Sequence, residues 1–256
     1  MNIEIWSEFY KDGFFGYSET IDFTLGSLAH IVPILITIFI IFVIYKNKDR
    51  LKNNIKLDSN IIYILIFIML FAEMSYWWRL LYTGPGNSEA HSMLSKLPIQ
   101  VCQWTLLITV FALITKSDNL LGTAFFLTTL PSLLAIILPT VIEKTGPSYF
   151  RYYQYWLEHL TPIISVYYMI FVHSYKIKFK HILYAGFVLT ILFFIGSKAN
   201  VLIPSGIKHL YLYMDYLRKI PFLTNVNDFV LYLFCLGIIF PSFCIVYIIY
   251  KKLESK

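Results

Sequence analysis

A chain of 256 residues that is 58% hydrophobic and only 14% charged, with a mean hydropathy of +0.66, lacks the polar residues needed to cover a soluble surface, for which roughly 25% charged residues are usual. A soluble enzyme, a disordered chain and a disulfide scaffold are excluded. The net charge of +6 does not indicate nucleic-acid binding, because the basic residues occupy short segments between apolar runs and do not line one face.

Seven apolar runs follow in chain order: Phe23–Tyr45, Ile61–Tyr82, Ile99–Thr115, Leu120–Ile142, Tyr155–Tyr175, Ile182–Ile203 and Phe229–Tyr250. Each approaches the ~20 residues that cross a hydrocarbon core. They lack strand alternation, so helices are the structure that satisfies their backbone groups. The third run is the shortest, and Pro98 just before it suits a first helical turn. Tyr149–Trp156 (YFRYYQYW) reads as an interfacial aromatic belt. Residues 1–23 have no basic n-region and no cleavage site of a secretory signal.

Basic residues set the expected orientation. Lys46, Lys48, Arg50, Lys52, Lys56, Lys116, Lys176, Lys178, Lys180, Lys251, Lys252 and Lys256 fall on one side. The other side has Lys11, Lys96, Lys144, Arg151, Lys208, Arg218 and Lys219, spread over longer segments. The expected fold is therefore all-α, a polytopic transmembrane bundle of about seven helices, with the N-terminus outside and the C-terminus cytoplasmic. Its expected parts are an extracytoplasmic N-terminal segment (1–22), one helical membrane domain (23–250) and a cytoplasmic tail (251–256).

Ionisable groups inside such runs are costly and point to function. They are His30, Glu73, Arg79, Glu158, His159 and Lys198, with Gln100, Gln103 and Asn200 as polar companions. Counted along alternating helices, His30, Glu73, Cys102, His159 and Lys198 with Asn200 reach one level in the outer half of the membrane. Arg79 and Lys198 lie near helix ends and snorkel. Glu158 neighbours His159 and so points to another helix face. His91, His173, His181 and His209 are loop or end residues without an assigned role. Of the three cysteines, Cys102, Cys235 and Cys244, the last two read as packing residues.

A thiol with a nearby imidazole is the arrangement of a nucleophile and its base. Glu73 is suited to orient an imidazole or hold a head group, and Gln100 and Gln103 to donate to an oxyanion. Each group also has a plain reading: an intramembrane His as a helix–helix hydrogen bond, Cys102 as a small buried hydrophobe, and Glu73 as the partner of Arg79. Zinc ligation by His30, Glu73, Cys102 and His159 has no paired spacing behind it, and no metal or other cofactor is expected.

The stretch LPIQVCQW (Leu97–Trp104) resembles the LPLxxC signature of the YwaF-like family of bacterial integral membrane proteins. GSLAHIV around His30, AEMSYWWRLLYTG around Glu73 and PSYFRYYQYWLEHLTPI around His159 resemble that family's first, second and fifth helices. The family is related to a eukaryotic transmembrane acyltransferase of ether phospholipid remodelling. The resemblance implies an acyl-enzyme role for Cys102 and a partner role for His159, acting on a phospholipid or other lipid. It covers about residues 20 to 203; beyond that the family's Gly-x-Asn-Tyr stretch is replaced by SGIKHLYLYMDYLRKIP. The alternative is a transporter or small-molecule-binding protein with a buried His/Glu site, and a broken mid-membrane helix would favour it. The expected location is the cell membrane, with no nucleic-acid partner.

Overall fold

Each apolar run holds a helix. In the computed structural model the described residues are 13–16, 20–82, 99–139, 142, 145–202 and 221–254, without the side chains of 79–82, 200, 201 and 222. Pro98, the side chains of Arg79 and Asn200, and most of the divergent segment 204–226 thus lie outside the described residues. The helices are α1 (Leu28–Lys46), a short α2 (Lys48–Asn53), α3 (Ile55–Tyr82), α4 (Val101–Thr115), α5 (Asp118–Ile137), α6 (Phe150–His173), α7 (Lys180–Leu202) and α8 (Asp228–Glu254). No strand occurs among the described residues.

Five of these, α1, α3, α5, α7 and α8, are long and apolar enough to cross a membrane. The distribution of burial shows what surrounds them. α1 has the highest mean hydropathy, 2.7, yet only 17% of its window is buried, while α5, at 2.0, is 61% buried. A water-soluble bundle hides its most apolar helix; this one turns Leu35, Ile36, Ile38, Phe39 and Phe42 outward. An exposed apolar surface of that extent fits lipid as the neighbouring phase.

The axis of the bundle is instead the most polar long helix, α6. It packs against α1, α2, α3, α4 and α5, whereas α7 leans on α5, and α8 on α7. Its buried residues include Gln154, Glu158, His159, Thr161 and Ser165, which are too costly to expose to hydrocarbon. Hydroxyl groups in the apolar region satisfy themselves locally. Thr105, Thr109 and Ser165 donate to the carbonyls of Val101, Thr105 and Thr161, four residues back, at 2.7, 2.7 and 2.8 Å.

α5 is irregular for a chemical reason. Pro131 has no N–H to give to the preceding turn, and the helix widens into a π turn over Thr128–Ser132 before resuming at Leu133–Ile137. Thr128 and Thr129 hydroxyls both donate to the Phe125 carbonyl, at 3.1 and 2.6 Å. The last carbonyls of α5, which lack partners within the helix, are met from outside. Tyr155 Oη donates to Ala135 O at 2.6 Å and His30 Nε2–H to Ile136 O at 2.8 Å.

This packing revises the expected aromatic belt. Tyr152, Gln154, Tyr155 and Trp156 are buried within α6, and of the inner residues of that stretch Tyr153 faces outward. The helix begins at Phe150, not Tyr155, so the tyrosines act as internal struts. Tyr152 Oη, for example, donates to Ala29 O of α1 at 2.6 Å. Other boundaries also moved: α3 begins at Ile55 rather than Ile61, α4 at Val101 rather than Ile99, and α5 ends at Ile137 rather than Ile142.

α5 and α7 meet across Gly122. The His181 ring of α7 occupies the space of a side chain there, since a Cβ on Gly122 would fall 1.8 Å from its Nδ1. His181 is fully buried and cannot swing into solvent. Gly122→Ala is therefore expected to separate α5 from α7. Overpacking of this kind costs about 1–3 kcal/mol or more, to be read as a fall in Tm in detergent, while Gly186→Ala, with open space at its Cβ, leaves Tm unchanged.

Candidate active site

Three helices bring their polar residues together near the start of α4. From α3, Glu73 Oε1 accepts from Trp77 Nε1 at 2.9 Å, one turn along its own helix, and from Gln103 Nε2 of α4 at 3.0 Å. Gln103 Oε1 in turn accepts the Gln100 backbone N–H at 3.4 Å, closing the helix start. From α6, Gln154 Nε2 donates to Ala72 O of α3 at 3.0 Å and to Glu158 Oε2 at 2.9 Å. Arg151 reaches Gln154 Oε1 and pairs with Glu158 Oε2 at 3.3 Å. Its guanidinium lies over the rings of Tyr76 and Tyr155, 4.9 and 5.6 Å from their centroids.

The network holds two buried carboxylates, Glu73 and Glu158, and one cation, Arg151. One acceptor is left over: among the described residues Glu73 Oε2 is buried with no hydrogen-bond partner. Orphaned acceptors of this kind are rare and mark strain, a bound group or a reaction site.

Cys102 is the second residue of α4. Because the helix starts at Val101, the thiol lies in the first turn, where backbone N–H groups have no partner within the helix and the macrodipole favours negative charge. A helix starting at Ile99 would have put it at the edge of that effect. The charged groups whose fields act on Cys102 are Glu158, Arg151 and Glu73. Glu158 and Arg151 act on His159 as well.

His159 is buried in α6 with its ring tilted against that of Tyr155, centroids 4.2 Å apart. Its Nδ1 lies 2.8 Å from Tyr155 O. A carbonyl only accepts, so Nδ1 carries the proton and Nε2 keeps the lone pair, the form a base requires. No hydrogen bond joins Cys102 to His159 among the described residues; α4 and α6, which carry them, pack directly together.

The expected site residues thus divide. Glu73 and Gln103 are bonded to each other, and Cys102 and His159 adjoin Gln103 and Glu158 of that network along their own helices. Among the described residues Glu73 has Trp77 and Gln103 as partners, and the Arg79 side chain lies outside the described residues. Gln100 contributes its backbone at the helix start and is exposed. His30 lies in a separate clamp. Its Nδ1 accepts from Gly26 N at 3.0 Å and its Nε2–H is given to Ile136 O, with Phe23 and Trp156 against the ring. Both nitrogens are committed to backbone partners that tie α1 to α5. Lys198 is exposed.

Sequence reading missed Arg151 and Gln154 and gave Glu158 no task. Their spacing at i, i+3 and i+7 places them on one helix face, a signal available once the helix is started at Phe150. Among the described residues no group of three or more His, Cys, Asp or Glu side chains forms a metal site.

Comparison with known proteins adds one finding. The model of the TMEM164 family matches residues 24–250. No curated protein and no solved structure matches the chain.

Proposed function

The chain belongs to the TMEM164 family of membrane proteins, and from that premise we propose that it is a thiol-dependent lipid acyltransferase, with Cys102 as nucleophile and His159 as its base. The observation that carries the reading is the placement of Cys102 in the first turn of α4, next to Gln103 of a buried polar network whose Glu158 is the sequence neighbour of His159. Within the family, LPIQVCQW supports a place among the YwaF-like bacterial members and their relation to the phospholipid acyltransferase. The substrate is a phospholipid or other lipid, reached from the bilayer. The location is the cell membrane, as one membrane domain over 23–250, with α4 and α6 crossing beside the five apolar helices. The basic end faces the cytoplasm, as the excess of lysines there supports.

The chemistry runs in two balanced halves. His159 Nε2 takes the thiol proton, and Sγ attacks the carbonyl carbon of an ester. A C–S bond forms, the ester C–O bond breaks, and the departing alkoxide takes the proton from the imidazolium. In the second half a lysolipid hydroxyl gives its proton to His159 and attacks the thioester. The C–O bond forms and the C–S bond breaks, and the thiolate recovers the proton. Unpaired N–H groups at the start of α4 are suited to the oxyanion of each tetrahedral intermediate. Gln103 is less free for that task, since its amide already donates to Glu73. Arg151, Glu73 and Glu158 hold α3, α4 and α6 in register. Asn200 is retained as a supporting residue on the strength of its place near the end of α7.

The test is the intact mass of the purified protein after incubation with phospholipid. The expected result is an increment of one acyl chain on Cys102, removed by hydroxylamine. No increment under trapping conditions, in wild type and in His159→Ala, ends the covalent reading.

One observation favours the transport alternative, the interruption of α5 at Thr128–Ser132. There the backbone stays in the right-handed helical region, at φ −76°, ψ −38° for Thr128 and φ −62°, ψ −40° for Leu133. A π turn keeps the chain helical, unlike the unwound backbone whose carbonyls coordinate a transported ion. Solute flux into vesicles that depends on Glu73 and not on Cys102 is the result that selects transport.

A further inference from the structure

At the opposite, basic end of the bundle lies a second constellation that the proposed chemistry does not use. Asp58 at the start of α3 is buried, and its Oδ1 accepts from Tyr168 Oη at 2.6 Å and from His173 Nε2–H at 2.9 Å. Both partners belong to the last turns of α6. His173 therefore leaves the core oriented by a carboxylate, and it lines a shallow groove of about 420 Å³ together with Asp118, Ser174, Tyr175, Lys176 and Lys178. The imidazole was set aside in the sequence as a helix-end residue. The tertiary fold makes it the floor of a groove walled by two lysines.

The groove is rigid where it matters. Ser174 adopts a left-handed conformation, φ 58°, that stops α6 directly after His173. The connection to α7 is then pinned at three places. Tyr175 Oη donates to Lys116 O at 2.7 Å, Ile177 N–H to Tyr250 Oη at 3.4 Å and Lys178 N–H to His181 Nδ1 at 3.1 Å. Lys176 and Lys178 thus project from a fixed backbone, which reduces the ordering cost of binding. The lysines are exposed. Among the described residues the salt-bridge contact of Lys178 is a long one with Asp118, 3.8 Å between two half-exposed side chains. Glu254, which pairs with Lys251, also lies within electrostatic reach of Lys176.

We propose that this groove binds a phosphate group, with Lys176 and Lys178 as donors and His173, held by Asp58, as part of its lining. The same chemistry is offered by the head group of an anionic phospholipid in the adjoining leaflet and by a free phosphate compound. Asp118 acts against the ligand, both as a negative charge on the rim and as a competitor for Lys178. The proposal is independent of Cys102.

The full-length protein in detergent is titrated with phosphatidylglycerol, with phosphatidylcholine and with inorganic phosphate, and occupancy is read by native mass spectrometry. The expected result is saturable retention of phosphatidylglycerol over phosphatidylcholine. Lys176→Ala/Lys178→Ala weakens it about tenfold or more, and Asp118→Asn strengthens it. Lys46→Ala/Lys52→Ala, which removes the same charge from exposed positions outside the groove, leaves it unchanged. Retention of phosphatidylglycerol that inorganic phosphate does not displace identifies a lipid head group. Inorganic phosphate bound with the same dependence on Lys176 and Lys178 identifies a soluble ligand. Equal losses in the two double-lysine variants reduce the effect to general surface charge and overturn the proposal, as does the absence of binding by either probe. A Tm measured for each variant separates lost binding from lost folding.

Discussion

Cys102→Ala, folded and returned to phospholipid bilayers, is expected to transfer no acyl chain above background. A nucleophile that forms the covalent intermediate has no substitute within the site, and its removal costs about 10⁴-fold or more in turnover. His159→Ala keeps the thiol but loses the group that accepts its proton, and its turnover is expected to fall by about 10²–10⁴-fold. Neither change should unfold the protein. Cys102 is half-buried and free of any disulfide, and the His159 side chain, among the described residues, is bonded to Tyr155 O within its own helix. The measurement is acyl transfer between labelled phospholipid and lysolipid, with Tm as the control for folding. Full activity in both Cys102→Ala and Cys102→Ser refutes a thioester. Activity lost in Cys102→Ala but kept in His159→Ala assigns the base to another residue.

The second large effect is one of stability. Arg151 is the cation of the buried network, with its side chain 12% exposed against 7% for Glu158. Arg151→Met leaves the Glu158 carboxylate without its ion pair and Gln154 Oε1 without its donor. Breaking a buried pair from one side costs about 3–5 kcal/mol, because the remaining charge stays desolvated, and the Tm should fall by roughly 10 °C. Removing both charges, in Arg151→Met/Glu158→Leu, is expected to restore most of the loss, since an apolar replacement of a buried pair is often neutral. A restored Tm with activity still absent makes the network part of the site as well as of the fold. An Arg151→Met protein as stable as the wild type shows that the ion pair carries no structural charge balance.

The apolar character of the chain and its division into helices follow from composition and run length alone. Five of the seven runs contain helices long and apolar enough to cross a membrane, because hydropathy over about 20 residues is a local property that needs no partner. The concentration of polar residues in the fifth run was legible too. Its meaning was not, because the run was started at Tyr155 and its preceding turn was read as an aromatic belt. Starting α6 at Phe150 places Arg151 and Gln154 on the face of Glu158. Helix ends depend on caps and on tertiary contacts, such as the Phe150 N–H donated to Phe14 O at 2.7 Å, and no local pattern encodes them.

The sequence by itself determined that this is a helical membrane protein, which residues within its helices are chemically costly, and which end carries the lysines. Each of these depends on single residues and their neighbours along the chain. Only the tertiary structure decided the partners. It gave Glu73 to Gln103, committed both nitrogens of His30 to backbone at Gly26 and Ile136, and joined Asp58 to His173 across 115 positions of sequence. Depth in a membrane places residues at one level, but a level is a plane with many helix faces turned toward it. Rotation of each helix, set by packing against its neighbours, selects which of those residues meet, and that selection depends on the shapes of all the helices at once.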